Sequence, residues 1–323
     1  MKRVAICGLG GMGTVHYRVY QGMPGVTVVA VADPRTEMAR GKIGEDNVKV
    51  YSDLKTLLEN ESVDVVDVCA PSYLHVELSI MAMEAGKDVL CEKPMSIDSR
   101  GTAEIMAAIE RTGRTFMVAH VVRFMSAYRY LKKVVDSGEL GKPVHFDLER
   151  VSSIPDWNWE NWMQDKSKSG GALIDLSVHD IDFIQYVFGE PAKISGAHYD
   201  YKNKTEYHSS ELVYENGFTA SITGGWYRAK IPFRASYLAV FEKGYVSFCQ
   251  GKCIKNGEEV NFSDIDTEMD TGVNVKGFDG YSDEIIYFID CLEKGIVPDM
   301  VTPVSSENAI KLVERIVKED ITL

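Results

Sequence analysis

The sequence predicts two domains of different sheet type: an α/β domain with a parallel sheet, then an α+β domain with a large, mostly antiparallel open sheet. Strand and helix patterns alternate through residues 1–120, which is typical of a parallel sheet with helices on both faces. Beyond residue 120, strand patterns follow one another across short turns, which favours antiparallel pairing. We therefore expect one domain at residues 1–120 and a second at residues 121–323.

A glycine-rich loop connects the first predicted strand to the first predicted helix. The strand ends at Cys7, and the loop that follows contains Gly8, Gly10, Gly11, Met12 and Gly13. Glycines with this spacing allow a tight turn, a close approach of a pyrophosphate and close packing of the helix on the sheet. Backbone N–H groups at the helix start attract the phosphate charge. The loop therefore predicts a Rossmann-type dinucleotide site formed by these five residues.

An acidic residue at the end of the second predicted strand supports the same site. The apolar run from Val26 to Ala32 is followed by Asp33, twenty positions after Gly13. A carboxylate there accepts hydrogen bonds from the ribose of NAD and repels the 2′-phosphate of NADP. Arg35 could instead approach that phosphate, so NADP remains possible. A plain strand-helix turn without a ligand is the weaker alternative, and we expect NAD as the cofactor.

The other elements of the first domain follow from apolar spacing, with glycine and proline as breaks. The sequence predicts helices near residues 14–23, 53–60, 77–85 and 99–111, and strands at residues 63–69, 89–91 and 115–119.

In the second domain, strand patterns dominate and two Gly-containing turns predict hairpins. The predicted strands are residues 144–151, 193–201, 210–214, 218–226, 233–241 and 245–249. The predicted helices are residues 128–135, 172–188, 281–293 and 306–319.

Composition excludes several classes of partner. The net charge of −13 argues against nucleic acid and anionic membranes. No apolar run is long enough to span a membrane, and the first residues enter a strand without a signal peptide, so we expect a cytoplasmic protein. The six cysteines form no CxxC pair or Cys/His cluster, so we expect free thiols and no metal.

Two segments contain residues suited to chemistry. Lys93, within Glu92-Lys93-Pro94, directly follows a strand of the first domain, at the sheet edge where ligands bind; a solvated surface lysine is an equal alternative from position alone. In the predicted helix 172–188, Asp175, His179 and Asp182 have the spacing of one helical face. A carboxylate beside an imidazole suits general base catalysis, but an ordinary amphipathic helix with a solvated histidine is favoured from this pattern alone.

Four motifs together resemble the glucose–fructose oxidoreductase / inositol dehydrogenase / MocA family. They are the glycine loop, Ala70-Pro71-Ser72 with His75, the segment ending in Glu92-Lys93-Pro94, and Gly170-Gly171-Ala172 followed by Asp175-x3-His179. They occur in the family's order and cover the chain almost end to end. The resemblance implies that Lys93 and His179 are catalytic residues that meet across the nicotinamide between the two domains, with Asp175 binding substrate. It also implies cofactor contacts from Pro71, Ser72, His75 and Glu92, although a helix-cap or packing role is an equal alternative for His75.

The resemblance gives further candidates for substrate contact. Arg123 keeps an Arg-Phe pair common in the family, and Tyr281 opens a helix where the family often has an active-site tyrosine. Trp159 and Trp162 could pack on sugar C–H groups, although packing or a subunit contact is the favoured alternative for either one. Two departures, Ser169 before Gly170 and Ser177 where the family commonly has glycine, affect the expected substrate rather than the reaction.

We therefore expect an NAD(P)-dependent oxidoreductase that transfers hydride between nicotinamide and a secondary alcohol or ketone of a sugar, polyol or inositol. His179 is the expected base and Lys93 the expected alkoxide stabiliser, with the reverse assignment open. The alternatives are a non-catalytic dinucleotide-binding sensor and an NAD-dependent glycosidase that oxidises its sugar transiently. The resemblance also implies a homodimer or homotetramer formed through the second sheet.

Overall fold

The first sheet has six parallel strands, because its strands alternate with helices and are buried on both faces. In chain order the strands are β1 (Lys2–Cys7), β2 (Val26–Ala32), β3 (Lys49–Tyr51), β4 (Val65–Val68), β5 (Asp88–Glu92) and β6 (Phe116–Ala119). Their order across the sheet is β3-β2-β1-β4-β5-β6. The strand order reverses next to β1, which is the position where doubly wound sheets bind dinucleotides.

The helices around this sheet begin and end at residues that the sequence explains. They are α1 (Gly11–Gln21), α2 (Thr36–Ile43), α3 (Leu54–Asn60), α4 (His75–Glu84) and α5 (Ser99–Thr112). Asp53 caps α3 by accepting a hydrogen bond from the Thr56 N–H, and Asp98 caps α5 through the Gly101 N–H, both at 2.8 Å. Helix α2 and strand β3 are not among the predicted elements, because their apolar patterns are short.

The second sheet has eight strands in the order β14-β13-β12-β11-β7-β10-β9-β8. They are β7 (Pro143–Ser153), β8 (Lys193–Lys202), β9 (Thr205–Val213), β10 (Thr219–Tyr227), β11 (Arg234–Phe241), β12 (Gly244–Cys249), β13 (Lys252–Lys255) and β14 (Glu258–Glu259). Neighbouring strands are antiparallel except β7 and β10, which are parallel. The predicted fold class is confirmed for both sheets.

The part of the chain that the structure describes contains six further α-helices: α6 (Ser126–Ser137), α7 (Lys166–Ser169), α8 (Gly171–Asp175), α9 (Val178–Phe188), α10 (Tyr281–Lys294) and α11 (Pro303–Lys318). The prediction of one continuous helix over residues 172–188 is wrong, because the structure breaks it between α8 and α9. The N–H groups of Leu176 and Ser177 both donate to the Ala172 carbonyl, which ends the first hydrogen-bond ladder. The Ser177 carbonyl then accepts from Asp180 and Ile181 and starts the second.

The structure, a computed structural model, describes residues 1–202, 205–262 and 280–319. These residues form two compact units: residues 1–124 with 280–307, and residues 125–262 with 308–319. The predicted domains at 1–120 and 121–323 stay a prediction, and residues 320–323 of the second lie outside the described residues. The first unit contains one apolar core that joins its sheet to α10 through Ile285, Phe288 and Ile289.

Candidate functional site

The glycine loop has the shape that a dinucleotide requires. Gly8 has φ +92°, and a Cβ on Gly13 would lie 1.9 Å from the Gly8 carbonyl oxygen, so both positions need glycine for the turn itself. A Cβ on Gly10 or Gly11 would meet nothing within 4 Å, so the loop is open on that side. An open, glycine-lined surface at the start of α1 fits a pyrophosphate group.

The difference between Gly10 and Gly13 gives a direct test of this site. We expect Gly10→Ala to keep the wild-type melting temperature while weakening NAD binding by about tenfold or more, because the methyl group occupies only the open space. Gly13→Ala should lower the melting temperature, because its Cβ would overlap the Gly8 carbonyl. Thermal unfolding and NAD titration measure both effects. Gly41→Ala, also open and on α2, is the control, and equal NAD affinity of Gly10→Ala and Gly41→Ala would contradict the assignment.

Asp33 is buried at the end of β2 and contacts both the loop and Arg35. Its Oδ2 accepts a hydrogen bond from the Leu9 N–H at 2.9 Å, and its carboxylate accepts two from the Arg35 guanidinium at 3.0 Å. Burial raises the pKa of Asp33, but the donors of Arg35 and Leu9 outweigh it and hold this pKa below its usual value. Asp33 is therefore ionised, and two hydrogen bonds fix the Arg35 guanidinium beside it.

Lys42 is a residue of this region that sequence reasoning missed. Its Nζ donates to the carbonyl oxygens of Leu9 and Gly10, at 2.7 and 3.0 Å, and to the Thr14 hydroxyl. Partial burial and the charge of Arg35 lower its pKa. Lys42 therefore places an amine against the glycine loop. The unassigned helix α2 hid this lysine in the sequence.

The predicted cofactor residues after β4 are Pro71, Ser72 and His75. Ser72 is buried and Pro71 half-buried, and together they lead through a short 3-10 turn into α4. The ring nitrogens of buried His75 lie 2.7 Å from the Pro94 carbonyl oxygen and 2.8 Å from that of Ala70. Burial lowers the pKa of His75, and the two carbonyl contacts oppose this effect. His75 thus connects the segments after β4 and β5, and its predicted cofactor contact stays a prediction.

Lys93 directly follows β5, where the sequence placed it. Glu92 is buried, and its Oε2 accepts a hydrogen bond from the Lys93 N–H at 3.1 Å. The Lys93 side chain is half-buried, and the Lys93–Pro94 peptide bond is cis. The carboxylate of Glu92 therefore holds the backbone from which the Lys93 amine projects.

In the second unit, the break between α8 and α9 places Asp175 and His179 on two different helices. Asp175 is buried at the end of α8 and His179 is half-buried in the first turn of α9. The predicted shared face of Asp175 and His179 assumed one continuous helix, which the structure does not have. His179 and buried Asp182 remain three positions apart on α9, a spacing that does place two residues on one side of a helix.

A buried ion pair fixes the start of α9 on the second sheet. Asp180, next to His179, accepts two hydrogen bonds from Arg150 of β7, at 2.9 and 3.0 Å. The Arg150 guanidinium also donates to the Tyr128 hydroxyl at 3.2 Å. Burial works against the charge of Arg150, but Asp180 and Tyr128 outweigh it and raise the arginine pKa. Sequence reasoning missed this pair because its members are thirty residues apart.

The remaining predicted substrate residues have varied surroundings. Trp159 and Trp162 are half-buried in a 3-10 segment of the second unit, Trp159–Gln164. In the first unit, Tyr281 is half-buried at the start of α10. Arg123 is buried and donates to the Met300 carbonyl and to the Ser305 hydroxyl. Within the first unit it therefore connects the segment after β6 to residues 300–305. Substrate contact by these four residues stays a prediction.

The fold and the loop are those of a Rossmann-type dinucleotide-binding scaffold. Two family profiles match the chain: the oxidoreductase family profile with an NAD-binding Rossmann fold over residues 2–120, and the GFO/IDH/MocA C-terminal domain over residues 128–247. The chain belongs to the Gfo/Idh/MocA family of oxidoreductases, and its first unit contains that family's NAD-binding domain.

Known relatives agree with this family. The chain is 34% identical over 191 residues to 2,7-anhydro-N-acetylneuraminate hydratase of Mediterraneibacter gnavus, covering 58% of this chain and 50% of the relative. It is 31% identical over 198 residues to scyllo-inositol 2-dehydrogenase (NAD(+)) of Bacillus subtilis, covering 60% and 56%. The matched part thus spans about half the length of these curated relatives.

Solved structures show the same fold over nearly the whole chain. Levoglucosan dehydrogenase in complex with NADH and L-sorbose matches with a TM-score of 0.84 and 19% identity, covering 98% of this chain and 96% of that one. In the part of the chain that the structure describes, no helix has the length and apolar character to cross a membrane.

Proposed function

We propose that the protein is an NAD-dependent dehydrogenase that interconverts a secondary alcohol and a ketone of a sugar, polyol or inositol. The observation that carries this proposal is the combination, in one unit, of an open glycine loop with Asp33 and a lysine that directly follows β5 of the same parallel sheet. Membership of an oxidoreductase family supports it. So do relatives that are named as inositol and levoglucosan dehydrogenases.

In this proposal each residue has a distinct role. NAD, held by the glycine loop and Asp33, supplies the hydride acceptor when it is bound. His179 takes the proton of the substrate hydroxyl, and Asp175 orients substrate and imidazole. The Lys93 ammonium stabilises the negative charge that develops on the substrate oxygen. The reverse assignment, in which Lys93 takes the proton, is decided by the pH dependence of the histidine variant.

A substrate screen tests the function. The purified protein is mixed with NAD or NADP and a panel of inositols, polyols, sugars and anhydrosugars, and reduced cofactor is followed by absorbance. We expect at least one compound of these classes to give turnover that saturates with substrate and requires Lys93. No turnover with any of them, in either direction, would favour the dinucleotide-binding sensor.

A reaction without net change in NAD is the second candidate, because one relative is named as a hydratase. Such an enzyme would oxidise its substrate transiently and then return the hydride, as would an NAD-dependent glycosidase. The two cases are separated by analysing products alongside cofactor. A changed carbohydrate without accumulated NADH identifies the second candidate, and equimolar NADH identifies the dehydrogenase.

We expect NAD to be preferred over NADP, because buried Asp33 is ionised and would repel a 2′-phosphate. Asp33→Ser should lower the ratio of kcat/KM for NAD to kcat/KM for NADP by about tenfold or more, since it removes that charge and releases Arg35. Glu37→Gln, an exposed acidic residue on α2, is the control. A wild-type enzyme with equal efficiency for both cofactors would show that Arg35 dominates the site.

We also propose a cytoplasmic homodimer or homotetramer that pairs through the second sheet. One face of this sheet packs against α8 and α9, while the opposite face carries the exposed side chains of Leu238 and Tyr245. Large exposed apolar residues on a sheet face favour pairing with a second copy. Light scattering of the purified protein measures the molar mass, and a monomer at all concentrations would contradict the proposal.

A further inference from the structure

Four ionisable side chains meet inside the first unit and form a buried charge cluster. His16 comes from α1, Asp67 from β4, Glu92 from the end of β5 and Glu284 from α10. The residues His16, Asp67 and Glu284 have no exposed surface, and Glu92 is 7% exposed. Charged groups are this deeply buried only when partners or protons compensate their charge.

His16 connects two of the carboxylates. Its Nδ1 lies 2.8 Å from Asp67, and its Nε2 lies 3.2 Å from Oε1 of Glu92, an ion-pair distance without hydrogen-bond alignment. Burial lowers the pKa of His16, but the charge of Asp67 outweighs it and raises this pKa well above its ordinary value. A protonated His16 therefore compensates Asp67 on one side and Glu92 on the other.

Glu92 is the member of the cluster that contacts Lys93. Burial raises the pKa of Glu92, but His16 and Lys93 outweigh it and lower this pKa below its usual value. Glu92 is therefore ionised, and its Oε2 accepts the Lys93 N–H at 3.1 Å. A carboxylate held in this way fixes the direction of the Lys93 backbone.

Glu284 completes the cluster but has no opposite charge left to pair with. Both of its carboxylate oxygens are buried, and neither has a hydrogen-bond partner among the described residues. One of its carboxylate oxygens lies within 4.8 Å of a ring nitrogen of His16 and of a carboxylate oxygen of Glu92. Because His16 is already shared between two carboxylates, an ionised Glu284 would be a third negative charge against one positive charge.

We propose that Glu284 is a positioning residue that carries a proton at neutral pH. Because it is then uncharged, His16 pairs with Glu92, and Glu92 keeps its hydrogen bond to the Lys93 backbone N–H. This rests on the proposed function for the role of Lys93, whereas the proton on Glu284 stands independently of it. An ionised Glu284 would compete with Glu92 for His16 and loosen the hydrogen bond to the Lys93 N–H.

Burial and most of the charged groups around Glu284 favour its protonated form. Burial, and then the charge of Glu92, raise the pKa of Glu284 well above its ordinary value, and Asp67 and Asp283 act in the same direction. His16 opposes them. The neighbouring ionisable groups Tyr20 and Cys69 are themselves buried, and burial raises the pKa of each, so both stay neutral.

Infrared spectroscopy tests the proton directly. The wild-type protein at pH 7 should show the C=O stretch of a buried carboxylic acid, and Glu284→Gln should remove it while Glu293→Gln, an exposed position on the same helix, should keep it. Gln has nearly the same shape as a protonated Glu, so this variant should fold. A wild-type spectrum without the band, or one metal ion per chain by elemental analysis, would overturn the proposal.

Unfolding adds a second readout that needs no substrate. A proton held by Glu284 in the folded state and lost on unfolding makes stability fall as pH rises above the ordinary carboxyl range. From about pH 5.5 to 7.5, the unfolding equilibrium constant of the wild type should therefore rise about tenfold more per pH unit than that of Glu284→Gln. Parallel pH profiles for the two proteins would contradict a protonated Glu284.

The effect on Lys93 is measured by turnover. Glu284→Asp should lower kcat about tenfold with little change in the KM for NAD, because a shorter carboxyl side chain leaves the cluster incompletely packed. Glu284→Gln should keep most of the wild-type kcat. Equal losses in both variants would overturn the positioning role. If no substrate is found, the proposed function fails, while the infrared band still decides whether Glu284 holds a proton.

Discussion

Lys93→Met should reduce kcat by about a hundredfold or more while leaving NAD binding nearly unchanged. The proposed role of the ammonium is to stabilise the charge that develops on the substrate oxygen, and such charge exists mainly in the transition state. Removing the ammonium therefore affects kcat more than substrate or cofactor binding. Methionine keeps the length and apolar volume of the lysine stem, so the end of β5 should retain its structure.

The measurement is steady-state kinetics on the substrate found in the screen, together with NAD titration of the variant. Lys87→Met is the matched control, because this residue stands next to the opposite end of β5 and takes no part in the proposed chemistry. Its kcat should equal that of the wild type. A Lys93→Met enzyme with near-wild-type kcat would show that Lys93 takes no part in the mechanism. It would favour the alternative in which Lys93 is an ordinary solvated surface lysine.

The parts of the site that the sequence predicted are local. The turn after β1 needs glycine because Gly8 has a positive φ and Gly13 packs on the Gly8 carbonyl. The glycine motif in the sequence therefore predicts the geometry of this turn. Asp33 and Lys93 follow strands that the apolar pattern places correctly. The carboxyl ends of parallel strands lie at the same edge of a sheet. The placement of Asp33 and Lys93 at one edge therefore follows from the fold class alone.

The parts that the sequence did not predict depend on contacts between distant residues. The break before Ser177 is invisible to helical spacing, since Asp175, His179 and Asp182 satisfy the pattern of a continuous helix. The partner of Asp180 is Arg150 on a strand thirty residues earlier. A buried carboxylate such as Glu284 reads in the sequence as an ordinary polar position of an amphipathic helix.

His179→Ala should slow alcohol oxidation by about a hundredfold or more and remove the ionisation on which the wild-type rate depends. A base accepts a proton only in its deprotonated form. With His179 as the base, kcat/KM for oxidation therefore rises with pH through one ionisation of the free enzyme and then levels off. In the opposite direction the protonated form is needed, so kcat/KM for ketone reduction falls through the same ionisation.

The decisive measurement is the pH profile of kcat/KM for the wild type, His179→Ala and Asp175→Asn. Asp175→Asn should raise KM and lower kcat together while keeping the ionisation, because it misplaces substrate and imidazole without removing the base. His145→Ala, a half-buried histidine on β7 whose ring contacts Thr219 and Asp147, should leave the profile unchanged and is the control. A His179→Ala enzyme that retains the wild-type ionisation would assign the proton to Lys93, with His179 acting only as a hydrogen-bond partner of the substrate.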